Sequence, residues 1–160
     1  MGFIALDDYP QSWIFRHRDL QVSSADYDSI QPLDSSSAQR LWSQKISQDA
    51  SHASSFLSDD WPEYDGVWQD ELVDWQSVWD SDVSNLPIAI LDHCQWPDNT
   101  VVFFCYDHER VLQTTWGVFK SCWKNFLFYD DEPILLGKRR HEVIRFHSNG
   151  QCHLGKRPAV

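Results

Sequence analysis

Between Lys45 and Arg110 the chain has no Lys or Arg at all, although the 64 intervening residues carry 14 Asp or Glu. Several other features are missing, and each absence excludes something. No apolar run approaches the roughly 18 residues of a membrane-spanning helix, so no span is expected. The opening stretch "MGFIALDDYP" lacks a basic leader and a long apolar segment, which argues against a secretory signal. Leu6 stands where a myristoylation motif needs Ser or Thr. Nucleophile-elbow, Walker, dinucleotide-binding and kinase signatures do not occur. The four cysteines, Cys94, Cys105, Cys122 and Cys152, include no C-x-x-C pair and read as reduced, mostly buried thiols of a cytoplasmic protein.

What is present is aromatic and acidic. Nine tryptophans dominate the apolar inventory of a 160-residue chain, enough for one domain over residues 1–160 with a substantial core. The formal charge of −11 is unevenly spread: residues 1–45 carry −2, residues 46–109 carry −14 and residues 110–160 carry +5. Such asymmetry favours electrostatic choice of a partner, or pairing of one part of the chain with another.

The segment "DDWPEYDGVWQDELVDWQSVWDSD", Asp59 to Asp82, concentrates both features, with four tryptophans and nine carboxylates. Trp68, Leu72, Trp75 and Trp79 fall within about 60° of one another on a helix, so the spacing predicts a helix with these four buried. Asp70, Asp74 and Asp80 are expected on its solvated side. A strand would send the same tryptophans to both faces.

Elsewhere, "FIAL" and "SWIFRH" read as short strands. "VSSADYDSIQPL" reads as a capped helical turn ending at Pro32. Asp34 is expected to cap a helix burying Ala38, Leu41, Trp42 and Ile46, followed by a polar loop at 49–60. "PIAILDHC" and "VVFFCY" look like a hairpin, with "RVLQ" a further short strand. Thr114 or Thr115 then caps a helix through Trp116, Phe119, Trp123 and Phe126. "PILLG", "HEVIRFH" and "QCHLG" complete the strands, the last two joined at Asn149–Gly150 by an expected type I′ turn. The class is α+β: helices mainly in the first half, a mostly antiparallel sheet in the second, and one helix packed on it.

Sites of chemistry are sparse. The turn Asp130–Glu132 invites a metal or acid–base reading, but consecutive carboxylates seldom converge, and turn solvation explains them as well. With the expected turn, His147 would lie opposite Cys152 and share a face with His141, a set of soft donors whose spacing matches no zinc pattern. Asp92, His93 and Cys94 with a distant His108 could form a nucleophile and base; a buried structural cysteine is the plainer reading. Lys138, Arg139, Arg140, Arg145, Lys156 and Arg157 could contact phosphate. An otherwise acidic chain repels nucleic acid, so pairing with the protein's own acidic half, or solvation of a strand edge, is preferred.

"TTWGVFKSCWKNFLFYDDEPILLGKRRHEVIRF" and "WIFRHRDLQVSSADYDSIQPL" together resemble a family of small acidic gammaproteobacterial proteins described as a domain of unknown function. The resemblance covers most of the chain and implies no activity. The W-x-x-F-x-x-x-W-x-x-F run, over one helix and the turn that follows it, is also similar in style to bacterial immunity and antitoxin-like proteins, often acidic α+β domains.

These readings favour a non-enzymatic module that engages a basic protein through Asp59, Asp60, Trp61, Glu63, Asp65, Asp70, Glu71 and Asp74, with no cofactor, membrane or nucleic acid. Trp61 would be its aromatic anchor. The alternative is a metal-dependent or acid–base hydrolase with a cleft between helices and sheet, using Asp92, His93, His108 and the Asp130–Glu132 turn.

Overall fold

The computed structural model describes residues 1–158. Seven strands form one antiparallel sheet: β1 (Gln31–Pro32), β2 (Trp68–Asp74), β3 (Val101–Cys105), β4 (Val111–Thr115), β5 (Ile134–Gly137), β6 (Glu142–Phe146) and β7 (Gln151–Lys156). Their spatial order is β1-β4-β3-β5-β6-β7-β2, which leaves β1 and β2 at the edges. Among the described residues five α-helices accompany the sheet: α1 (Ser24–Asp28), α2 (Ser35–Lys45), α3 (Gln76–Trp79), α4 (Ile88–His93) and α5 (Trp116–Phe126). The class is α+β as expected, with helices mostly early, strands mostly late and α5 packed on the sheet.

The central strands are buried on both faces, which is why they read as continuous apolar runs. Val102, Phe104, Leu112, Leu135 and Ile144 point to a core shared with α5, α4 and the N-terminal turns. Phe103, Cys105, Val111, Ile134, Leu136 and Val143 alternate to the other face, beneath Ala38, Leu41 and Trp42 of α2. Both long helices start as the caps predict. Asp34 accepts from Ser37 N at 2.8 Å, and Thr115 Oγ1 accepts from Val118 N at 3.4 Å. Ser23 caps α1 in the same way.

Four expectations are corrected. Residues 68–74 are a strand, and only Gln76–Trp79 are helical. In β2, Trp68 pairs with Gly155 and Leu72 with His153, so Gln69, Asp70 and Glu71 stand opposite the single residue Leu154. The interval of four between Trp68 and Leu72 thus spans a bulge in an extended chain and not a helical turn. The tryptophans consequently part: Trp68 joins the α2 side, whereas Trp75 and Trp79 join the α5 side. Trp75 is buried, Trp68 and Trp79 are half-buried and Leu72 is exposed; Asp70, Asp74 and Asp80 are exposed as expected.

"PIAILDHC" is α4, not a strand: Ile90 and Cys94, four apart, are buried while Ile88 lies exposed. The partner of β3 in its hairpin is therefore β4. "FIAL" is extended but makes only an isolated antiparallel bridge, Phe3 to Leu33, before a 3-10 turn at Leu6–Asp8. "SWIFRH" forms a 3-10 turn at Ser12–Phe15 rather than a strand, because consecutive Ile14 and Phe15 both face the α5 core. The last correction concerns the β6–β7 turn. Its loop has three residues, and only Gly150 has positive φ (89°), where a type I′ turn needs two such positions.

Candidate functional site

The acidic segment begins as a loop held against the sheet by its own indoles. Trp61 Nε1 donates to Lys45 O at 2.7 Å, and Trp68 Nε1 to Pro62 O at 2.8 Å, with the two ring centroids 6.0 Å apart. Trp61 is thus half-buried by packing. Asp60 is buried as well, its carboxylate accepting from Leu57 N at 2.9 Å. Asp59, Glu63 and Asp65 stay exposed, as do Tyr64 and Leu57 beside them. Asp70 and Glu71 occupy the bulge of the edge strand. Asp74 accepts from Ser77 N and Ser77 Oγ, at 3.0 and 2.6 Å, and these bonds hold its carboxyl below the usual range. Of the eight residues read as a docking set, the structure leaves six exposed and folds Asp60 and Trp61 inward.

Little of this charge is neutralised within the chain. Of the 14 carboxylates between residues 46 and 109, only Glu63, Asp98 and Asp107 have a Lys or Arg nitrogen within 4.0 Å among the described residues. The preferred pairing of the basic C-terminal stretch with the acidic half is correspondingly slight: among the described residues it extends to Arg145 reaching Glu63 at 3.8 Å. The other cations of that stretch lie elsewhere.

The residues considered for chemistry do not assemble as expected. His93 Nε2 lies 2.9 Å from Gly155 O, whereas His108 Nδ1 lies 3.2 Å from Ser51 O. All four cysteines are free and buried, and burial pushes their thiols upward, Cys122 and Cys152 to about 12. Thiolate chemistry is disfavoured at every one of them. Cys152 is also on the wrong face to join His147. Because the loop holds three residues, His147 lies opposite Gln151, and Cys152 turns into the α5 core. His141 sits at the other end of β6, with Nδ1 3.3 Å from Arg157 O.

What the hairpin does bring together is Glu132, His147 and His153. His147 Nδ1 is 3.3 Å from Glu132 Oε1, and its Nε2 is 2.8 Å from His153 Nδ1. Glu132, at φ 54°, also accepts from Ser148 N. A hairpin register shifted by one residue would have revealed this pair from the sequence. Among the described residues no three His, Cys, Asp or Glu side chains have the geometry to hold a metal ion.

These observations define an α+β domain on a seven-stranded antiparallel sheet, one edge of which is acidic and largely unneutralised. The chain belongs to the family described as Protein of unknown function (DUF2947), whose model matches residues 3–155. Nothing among the curated proteins or the solved structures matches it.

Proposed function

We propose that the protein is a non-enzymatic binding module that engages a basic protein through the exposed carboxylates of the 59–65 loop and the β2 bulge. The observation that carries the reading is the near absence, among the described residues, of cations within reach of these groups. Asp59, Asp65, Asp70 and Glu71 keep their charge available to a partner, and exposed Tyr64 and Leu57 add apolar contact beside it. Complementary potential of this kind accelerates encounter and selects a partner by sign. A cytoplasmic module of the immunity or antitoxin type fits an acidic α+β domain of this size. Proteins retained from lysate by wild-type bait, at low salt and not at high salt, are expected to be basic. They are lost from bait carrying Asp59→Asn, Asp65→Asn, Asp70→Asn and Glu71→Gln together. Equal retention by that quadruple variant overturns the reading.

A second reading, an acid–base hydrolase, draws on the Glu132–His147–His153 chain, which could hold and move a proton. Of its original candidates only Glu132 belongs to that chain. Ester hydrolysis abolished by His153→Gln in a folded protein would establish it over the first.

A further inference from the structure

A cavity of about 320 Å³ opens on the α2 face of the sheet, at the end where α2, the β5–β6 turn and the end of β7 meet. Its floor is a cross-strand row: Phe103 of β3 pairs with Leu136 of β5 on one side and with Gln113 of β4 on the other. Leu41 of α2 adds an apolar wall. The charged residues that line it are Lys45, Lys138, Arg139 and Arg157, with no carboxylate lining it among the described residues. In a chain with 24 acidic and 13 basic residues, four cations around one apolar hollow is a strong local reversal of sign.

Arg157 is the informative member. It is only 5% exposed, yet no carboxylate lies within 4.0 Å of its guanidinium among the described residues. Nε donates to Arg140 O and Nη2 to Gly137 O, both at 2.9 Å, which fixes the planar group against the backbone. Its own backbone N–H donates to His141 O at 2.8 Å. The thiol of neighbouring Cys105 is pushed upward by burial and stays neutral, so it supplies no counter-charge. A buried cation without an anion is costly, and carbonyl dipoles offset only part of that cost. An anion in the cavity would complete the arrangement, and a rigid guanidinium is well suited to a carboxylate or phosphate.

We infer that this cavity binds a small amphipathic anion. Its acidic head lies against Arg157, Lys138 and Arg139, and its apolar body lies on Leu41, Phe103 and Leu136. The volume is at the small end of ligand sites, which suits a short chain or a single ring. This site is separate in sequence and in sign from the acidic surface.

Calorimetric titration of the full chain with octanoate, octyl phosphate, octanol and inorganic phosphate tests the assignment. Octanoate or octyl phosphate is expected to bind at one site, and whichever is tighter identifies the head. Octanol and inorganic phosphate, each lacking half of the recognition, are expected to bind at least roughly tenfold more weakly. Arg157→Gln should weaken the anion by a similar factor. Because that substitution is buried, the exposed pair Lys138→Glu and Arg139→Glu provides an independent reading, with Arg18→Glu as a distant control that leaves binding unchanged. Octanol binding as tightly as octanoate overturns the inference. So does inorganic phosphate binding as tightly as octyl phosphate, indifference of the anion to the Lys138→Glu and Arg139→Glu pair, or failure of both amphipathic anions to bind.

Discussion

His147 Nε2, one residue past β6, and His153 Nδ1 of β7 lie 2.8 Å apart, so one ring must donate and the other accept. Glu132 sits at the far side of His147, 3.3 Å from Nδ1, and Arg145 pairs directly across from His153. Burial, His147 and Arg145 together lower the pKa of His153. The fold therefore prefers neutral His153, and the unfolded chain takes up its proton first as pH falls. The stability tied to this group is complete above the unfolded value of about 6.5 and is lost as pH falls towards the folded one. Thermal midpoints recorded across that window should decline with acidification in the wild type. The decline should be smaller in His153→Gln. An unchanged slope in the variant would show that other groups set the acid sensitivity.

Trp75 closes the junction between β2 and α3. It is 2% exposed, donates from Nε1 to Gln151 O at 3.0 Å and meets Phe146 edge to face. Trp75→Ala is expected to cost roughly 3–5 kcal/mol, as for large aromatic truncations in cores. Asp74→Ala, one residue earlier, removes the acceptor of Ser77 N and Ser77 Oγ and should destabilise α3 slightly. Because these bonds lower the Asp74 pKa, its contribution is present above the unfolded carboxylate value and is lost as pH falls through the folded one. Denaturant titrations of both variants at neutral and acidic pH check the two expectations.

Asn125 of α5 is 4% exposed and donates from Nδ2 to Ile14 O and Leu20 O, at 2.9 and 2.8 Å. These two bonds tie the N-terminal turns to the helix. Asn125→Leu leaves both carbonyls without this donor and should cost about 2 kcal/mol or more. Hydrogen exchange should quicken selectively across residues 12–20. Uniform acceleration over the whole sheet would instead assign Asn125 a global role.

The outcome at these sites follows from how local each signal is. Asp34 and Thr115 sit beside the helices they cap, so α2 and α5 were legible, as were the apolar runs of β3, β5 and β6. The acidic charge is a property of the residues themselves and survived folding intact. The helix expected through Trp68, Leu72, Trp75 and Trp79 failed because Trp68 and Leu72 flank a bulge in an edge strand and the chain turns helical only at Gln76. The His147–His153 pair was hidden by a single extra loop residue, since a one-residue slip sends side chains to opposite faces. The basic cavity draws on residues 41–45, 103–113, 136–139 and 157, which only the folded topology brings together.

Gly155 shows how tightly that edge strand is held. A Cβ there would stand 2.5 Å from Trp68 Cε3 and 2.6 Å from Val67 O. The indole could swing aside, but the carbonyl belongs to the backbone and accepts from Lys156 N at 3.0 Å. Gly155→Ala should therefore force β2 away from β7 and cost about 1–3 kcal/mol. Trp68→Ala in the same chain should not restore the loss, because the backbone clash remains. Full rescue by Trp68→Ala would place the whole conflict in the side chain.

Asp70 and Glu71 lie in the bulge of that same edge, exposed and without a cationic neighbour within 4.0 Å among the described residues. Charges and bulges on edge strands also serve to block pairing with other chains. The two roles predict different measurements. Asp70→Asn with Glu71→Gln should leave the unfolding free energy within about 0.5 kcal/mol of wild type, because neither carboxylate makes a hydrogen bond or ion pair among the described residues. If the charges guard the edge, light scattering at high protein concentration should report association in the variant, and partner capture should be unchanged. If they dock a basic protein, the variant should remain monomeric and lose its salt-sensitive partners. Adding Leu72→Lys restores a charged edge with the opposite sign: it should suppress association in the first case, and it cannot recover the partner in the second.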